Sequence, residues 1–231
     1  MKRSLITATR AFSKQSIRWN QHHHTIISEK FKSSMGGVSS QAMILTSAFE
    51  NSNYELHGMT LSSVSSLAVY PNPLLEFNLH LPSYTSRALH NLKYLAIHLL
   101  PPTSKSVHLC RIFASGVKRD KTGTELASTN EENEDGEVFH EMTTPFSKIS
   151  KHEDYTFYKI NDEISIPILN DSETIFICKV NANFEVNNHE IWAVNVIDII
   201  GKKLQDNKSS GGIIYFNRGF HKIGDTLSEI E

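Results

Sequence analysis

Many short apolar segments, only two short helical ones and no regular alternation of strand with helix predict a mostly β protein. The expected architecture is an antiparallel barrel rather than a doubly wound sheet. At 231 residues, 39% hydrophobic and 21% charged, the chain can bury the core of one larger domain without covalent staples. No apolar run approaches the roughly 18 residues of a membrane-spanning helix, and no internal repeat is visible.

A first strand is placed over Met35–Phe49, with Gly36 and Gly37 permitting a bulge at its start. Glu50-Asn51-Ser52-Asn53 is a turn cluster, so Leu56–Ser66 follows as the second strand of a hairpin. Pro71-Asn72-Pro73 breaks the chain, Leu74–Leu81 alternates as the next strand, and Pro82 ends it. A helix is expected over Ser83–Leu92, with Ser83 as N-cap and Ala88, Leu89 and Leu92 facing inward. Tyr94–Leu100 reads as a buried strand, and Thr103–Ala114 as a helix ending near Gly116. Lys118 to Glu137 is too polar and acidic to bury apolar surface, which predicts a flexible insertion. Strands resume at Ile164–Leu169, Glu173–Phe184 and Glu190–Ile200, and a loop leads to a short strand over Gly212–Phe216.

The amino terminus differs in composition from the rest of the chain. Met1 to Asn20 carries Lys2, Arg3, Arg10, Lys14 and Arg18, no acid, and apolar residues that can share one helical face. An Arg- and Ser-rich amphipathic start of this kind predicts a mitochondrial transit peptide. Residues 1–30 are therefore taken as transit peptide and linker, residues 31–225 as the folded domain, and the mitochondrial matrix as the compartment. Without residues 1–19 the chain keeps 18 basic against 25 acidic residues, a formal charge of −7. That balance argues against nonspecific nucleic-acid binding. Cys110 and Cys178 are expected to be buried small hydrophobes, unpaired in a reducing matrix. His22-His23-His24 lacks a further ligand at zinc-like spacing, so no metal site is expected.

The chain contains no Gly-x-Gly-x-x-Gly, no Walker-type Gly-Lys-Ser/Thr, no Gly-x-Ser-x-Gly elbow and no His-Glu-x-x-His. What stands out is the hydroxyl cluster Thr60, Ser62, Ser63, Ser65 and Ser66, where a strand interior favours β-branched and aromatic residues. The plain alternative is a strand with one polar face. Downstream, a helix start at Ser83, Thr85 and Ser86 offers backbone N–H groups to an anion.

These segments resemble the flavin reductase-like family of FMN-binding split β-barrels, which are antiparallel Greek-key barrels with a few short helices. The resemblance is carried by Gly58-Met59-Thr60 with its serines and proline turn through Leu75, and by Ser83-x-Thr85-x-x-Ala88-Leu89. Arg111-x-Phe113-Ala114-x-Gly116, Pro167-x-Leu169, Cys178-x-Val180, Asn188-His189 and Tyr215-Phe216-x-Arg218 continue it in order, so that it covers about residues 35 to 220. It implies a homodimer that binds FMN and reduces flavin with NADH or NADPH. It places Thr60, Ser62 and Ser63 against the isoalloxazine and ribityl chain, Ser83, Thr85, Ser86 and Arg87 at the phosphate, His189 facing flavin and nicotinamide, and Arg218 near the same site. Three departures stand beside the likeness: Leu81-Pro82 before the serine, Val194 where relatives often have glycine, and the long acidic insertion. Two other readings remain open from the sequence: a catalytically idle split-barrel accessory protein for mitochondrial assembly or translation, and haem binding, since the chain has 12 histidines.

Overall fold

The structure is a computed structural model that describes residues 25–49, 55–115, 145–201 and 209–226. It divides into two units, one formed by Met1–Ser39 with Phe216–Gly219, the other by Ser40–Tyr215 with Phe220–Glu231. The leading residues and the acidic insertion expected from the sequence lie outside the described residues, up to position 24 and over 116–144.

In the first unit residues 25–36 form a helix, α1. Ile27, Phe31 and Met35 recur at i, i+4 and i+8, the helical period, and all three are exposed. The sequence reading, which placed the first strand from Met35, missed this spacing. The same unit contains the turn Phe216–Gly219, where Asn217 and Arg218 have φ of 48° and 60°. Two successive left-handed residues give a two-residue hairpin turn.

The strands are β1 (Ser40–Phe49), β2 (Glu55–Leu61), β3 (Ser65–Ala68), β4 (Leu74–His80), β5 (Tyr94–Leu99), β6 (Tyr155–Lys159), β7 (Ser165–Leu169), β8 (Thr174–Val186), β9 (His189–Gly201), β10 (Ile213–Phe216) and β11 (Gly219–His221). Helices α2 (Tyr84–Leu92) and α3 (Ser104–Ala114) and a short 3-10 turn, Pro145–Lys148, complete the described elements. The sequence reading omitted β6, whose Tyr-Thr-Phe-Tyr run has high strand propensity, and β11. None of the described helices is long and apolar enough to cross a membrane.

The main sheet runs β11-β10-β1-β5-β8-β9-β4-β3, with β2 pairing β1, while β6 and β7 form a separate hairpin. Because β3 continues from β2, the antiparallel circuit β1-β5-β8-β9-β4-β3 returns to β1 through the chain between Leu61 and Ser65. The barrel is therefore closed at one seam by covalent chain rather than by a ladder. The single strand expected over Leu56–Ser66 is two strands, broken at Ser62–Val64, so the two-face alternation does not carry across the hydroxyl cluster. The Asn78 N–H donates to Ser63 Oγ at 3.1 Å, and Ser65 Oγ donates to Glu76 at 2.9 Å. Two hydroxyls of the cluster thus stitch the seam to β4.

Inside the barrel Leu45, Leu61, Phe77, Leu79, Leu95, Ile97, Cys178, Trp192 and Val194 pack against Leu89 of α2. Each large apolar side chain removed from water contributes about 1.5 to 3 kcal/mol before ordering costs. Val194 is one of these buried residues, so the side chain that replaces the frequent glycine fills the core. On the other side α3 inserts Leu109, Cys110 and Phe113 against Ala42, Ile44, Leu100 and Ile213. Burial raises the thiol pKa of Cys110 and of Cys178 to about 12, which leaves both as inert apolar groups. His98 of β5 joins three strands, with Nδ1 donating to Ile44 O at 2.9 Å and Nε2 accepting from Leu169 N–H at 3.1 Å.

Candidate functional site

The site expected from the sequence is built on four pieces of the second unit: β2 with the seam after it, the end of β4, the start of α2, and the β8–β9 hairpin. Ser83 begins α2 because its backbone is extended, φ −142° and ψ 129°, while its side chain accepts the Ser86 N–H at 3.2 Å. The helix ends at Lys93, whose φ of 64° directs its N–H back to Leu89 O at 3.1 Å. Ser83, Thr85 and Ser86 are 8%, 1% and 4% exposed, so all three side chains face inward. Ser86 Oγ donates to the Glu190 carboxylate of β9, and His90 Nε2 lies 2.6 Å from the other carboxylate oxygen.

With the Ser86 amide capped, the outward amides of the first turn are those of Tyr84 and Thr85, which have no partner within the helix. The first turn carries no acid, and exposed Arg87 sits over the Tyr84 ring at 5.8 Å. On the other side of Tyr84 the His57 ring of β2 stacks at 5.6 Å. Burial lowers the His57 pKa, opposed by the Glu55 carboxylate 3.7 Å away. Its Nδ1 is buried without a hydrogen-bond partner among the described residues. A helix start with two outward amides, an arginine and no acid has the donor set of a phosphate monoester site. On that chemistry the residues fit the phosphate end of FMN, through backbone and Arg87 more than through the three hydroxyls.

His189 is brought to the same corner by strand register, since it lies directly opposite His80 at the end of β4. The two rings meet edge to face at 4.9 Å. Asn188 joins them, its Oδ1 accepting from His189 Nδ1 at 2.9 Å and its Nδ2 donating to His80 Nε2 at 2.9 Å. An amide oxygen only accepts and an amide nitrogen only donates, so this bridge fixes His189 with its proton on Nδ1. A neutral His189 then has Nε2 as an acceptor. Leu81 N–H donates to Asn188 O at 2.8 Å, which holds the hairpin tip to the residue just before Pro82 and Ser83.

The remaining candidates are placed less compactly. Thr60 turns towards α3, where its hydroxyl donates to Cys110 O at 2.6 Å. Ser62 is exposed at the bend after β2, while Ser63 is tied to Asn78. Arg218 is exposed at the β10–β11 turn in the first unit. Sequence reasoning missed His57, His80, Asn188 as a bridge, and Glu190. His80 is the terminal residue of an alternating strand, but its partner is set by register with a strand more than a hundred residues further along.

The described residues contain no group of three or more His, Cys, Asp or Glu side chains placed to hold a metal ion. Residues 35–224 match the family model described as flavin reductase like domain. Among solved structures, the chain is similar to a flavin reductase domain protein from Arthrobacter sp. FB24, at 18% identity and a TM-score of 0.60, covering 87% of this chain and 99% of that one. The flavin reductase of the styrene monooxygenase from Pseudomonas putida S12 aligns at 15% identity and a TM-score of 0.56, covering 85% and 99%. The flavin reductase HpaC, solved with NADP+, aligns at 25% identity and a TM-score of 0.57, covering 84% and 97%. The seam-closed antiparallel barrel, the capped helix beside it and the match over most of the chain lead to one assignment: this protein belongs to the flavin reductase like domain family.

Proposed function

We propose that the protein is an NAD(P)H-dependent flavin reductase that binds FMN, works as a homodimer and resides in the mitochondrial matrix. The observation that carries this reading is the corner where His189, bridged to His80 through Asn188, lies beside the α2 start. Bound flavin supplies the hydride acceptor for a reduced nicotinamide. The chain itself binds and orients. The Tyr84 and Thr85 amides and Arg87 take the phosphate, and the seam residues Ser62 and Ser63 stand where the polar ring edge would be held. His189 Nε2 offers an acceptor to a nicotinamide carboxamide N–H. No side-chain nucleophile is needed, because placing two cofactors in contact supplies most of the rate.

Family membership supports the nicotinamide half, as does the similarity to HpaC, whose structure was solved in complex with NADP+. FMN rather than another flavin rests on the phosphate-sized helix start. The compartment rests on the basic amphipathic N-terminal sequence. The test is the absorbance spectrum of the purified protein with added FMN, followed anaerobically on adding NADPH or NADH. Bleaching of the flavin band is expected. A protein that neither quenches FMN fluorescence nor melts at a higher temperature with FMN present does not have this function.

A further inference from the structure

A second concavity lies in the same unit, away from the residues assigned to flavin. It is a groove of ≈ 460 Å³ between one face of α3 and the segment that ends the sheet. His108 and Arg111 of α3 line one side, and His221 and Lys222 the other. Val107 and Phe220 contribute apolar surface, and no Asp or Glu lines the groove. His108 and Arg111 are three residues apart, one face of the helix, while Phe113 and Cys110 on the opposite face are in the core. Two permanent cations and two imidazoles are gathered from segments about a hundred residues apart in sequence, against their mutual repulsion. A concentration of like charge with no carboxylate to offset it does nothing for stability, and such conflicts mark functional sites. The volume is that of a small-molecule site.

We propose that this groove binds a nucleotide, with Arg111 and Lys222 on its phosphates and Val107 and Phe220 against its base. Arginine and lysine together with the two imidazoles match a diphosphate, which accepts several charge-assisted hydrogen bonds at once. The apolar pair gives the base a surface that water does not satisfy. The assignment is independent of the flavin site, since none of Thr60, Ser62, Ser63, Ser83, Thr85, Ser86, Arg87 or His189 lines the groove.

The experiment is calorimetric titration of the full chain with ADP, pyrophosphate and adenosine, repeated on the Arg111→Gln/Lys222→Gln double variant. Both side chains are exposed, so the variant is expected to melt with the native protein. ADP is expected to bind saturably and more tightly than pyrophosphate or adenosine. In the double variant its affinity falls on the order of tenfold or more, while FMN fluorescence quenching is unchanged. Absent ADP binding, or equal binding to the double variant, overturns the proposal. Pyrophosphate binding as tightly as ADP overturns the nucleotide assignment, because the apolar wall then holds no base. A loss of FMN quenching in the same variant places the cations in the flavin site and overturns the separation of the two.

Discussion

Ser86 of α2 donates its hydroxyl to the carboxylate of Glu190 on β9, a contact between residues 104 apart in the chain. Glu190 is 3% exposed and also meets His90 Nε2 at 2.6 Å and Asn183 Nδ2 at 3.4 Å. A buried carboxylate is tolerated only when its oxygens are occupied, so this cluster fixes the angle at which α2 meets the sheet.

Truncating Glu190 leaves Ser86 without an acceptor in a buried place. Glu190→Ala is expected to lower unfolding free energy by about 2 to 3 kcal/mol in urea titrations. His90→Ala, which removes only a half-exposed partner, is expected to cost about 1 kcal/mol or less. Equal losses in the two variants would mean that the carboxylate is not the organising group.

Gly58 of β2 has no room for a side chain. A Cβ there would stand 2.5 Å from Leu45 O and 2.8 Å from a ring carbon of Phe113. The first neighbour is backbone of a paired strand and cannot swing aside. Gly58→Ala is expected to cost about 1 to 3 kcal/mol, read as a lower melting temperature. A variant that melts with the native protein would show that β1 and β2 part more easily than the pairing implies.

His98 is fully buried, and desolvation lowers its pKa to about 4 against the bond to Ile44 O. The folded group stays neutral while the unfolded one takes up a proton near pH 6.5. Unfolding therefore binds a proton between those values, and stability falls as pH drops from about 6.5 towards 4. The loss approaches about 3 kcal/mol at the acid end. His98→Asn is expected to be less stable at neutral pH and to show a shallower acid slope. An unchanged slope would assign the acid sensitivity to other groups.

Arg87 is exposed beside the outward amides of the α2 start. Arg87→Gln is expected to weaken FMN on the order of tenfold while leaving riboflavin, which has no phosphate, within about twofold. Fluorescence quenching titrations read both ligands. Parallel losses would move the phosphate elsewhere.

Elements whose signal is local were legible in the sequence. Ser83 as N-cap, Pro82 as a stop and the alternation of Trp192 and Val194 in β9 depend on neighbours a few residues away, and the structure has each of them. The break at Ser62–Val64 was not legible, because it arises where one strand must pair β1 on one side of the barrel and β4 on the other. The hydroxyls there read as a ligand surface, and two of them prove to be hydrogen-bonded to β4. His189 was visible as a motif, whereas His80 and Glu190 become meaningful only once β4 and α2 are laid against β9. Thr60 belongs to the same class, since its bond to Cys110 O depends on where α3 packs.

The β8–β9 hairpin turns on two residues, Asn187 and Asn188, with Asn187 at φ 54° and Val186 paired to His189. Along β9 neighbouring side chains alternate between half-buried and buried, so His189 faces outward and Glu190 inward. Both assignments hang on the parity of the strand. Inserting or deleting one residue in that turn would exchange the two, sending an imidazole into the helix contact and a carboxylate to the corner by the α2 start. The turn therefore acts as a phase setter for the chain. Its length, more than the identity of any residue in it, is what evolution or an engineer must leave alone.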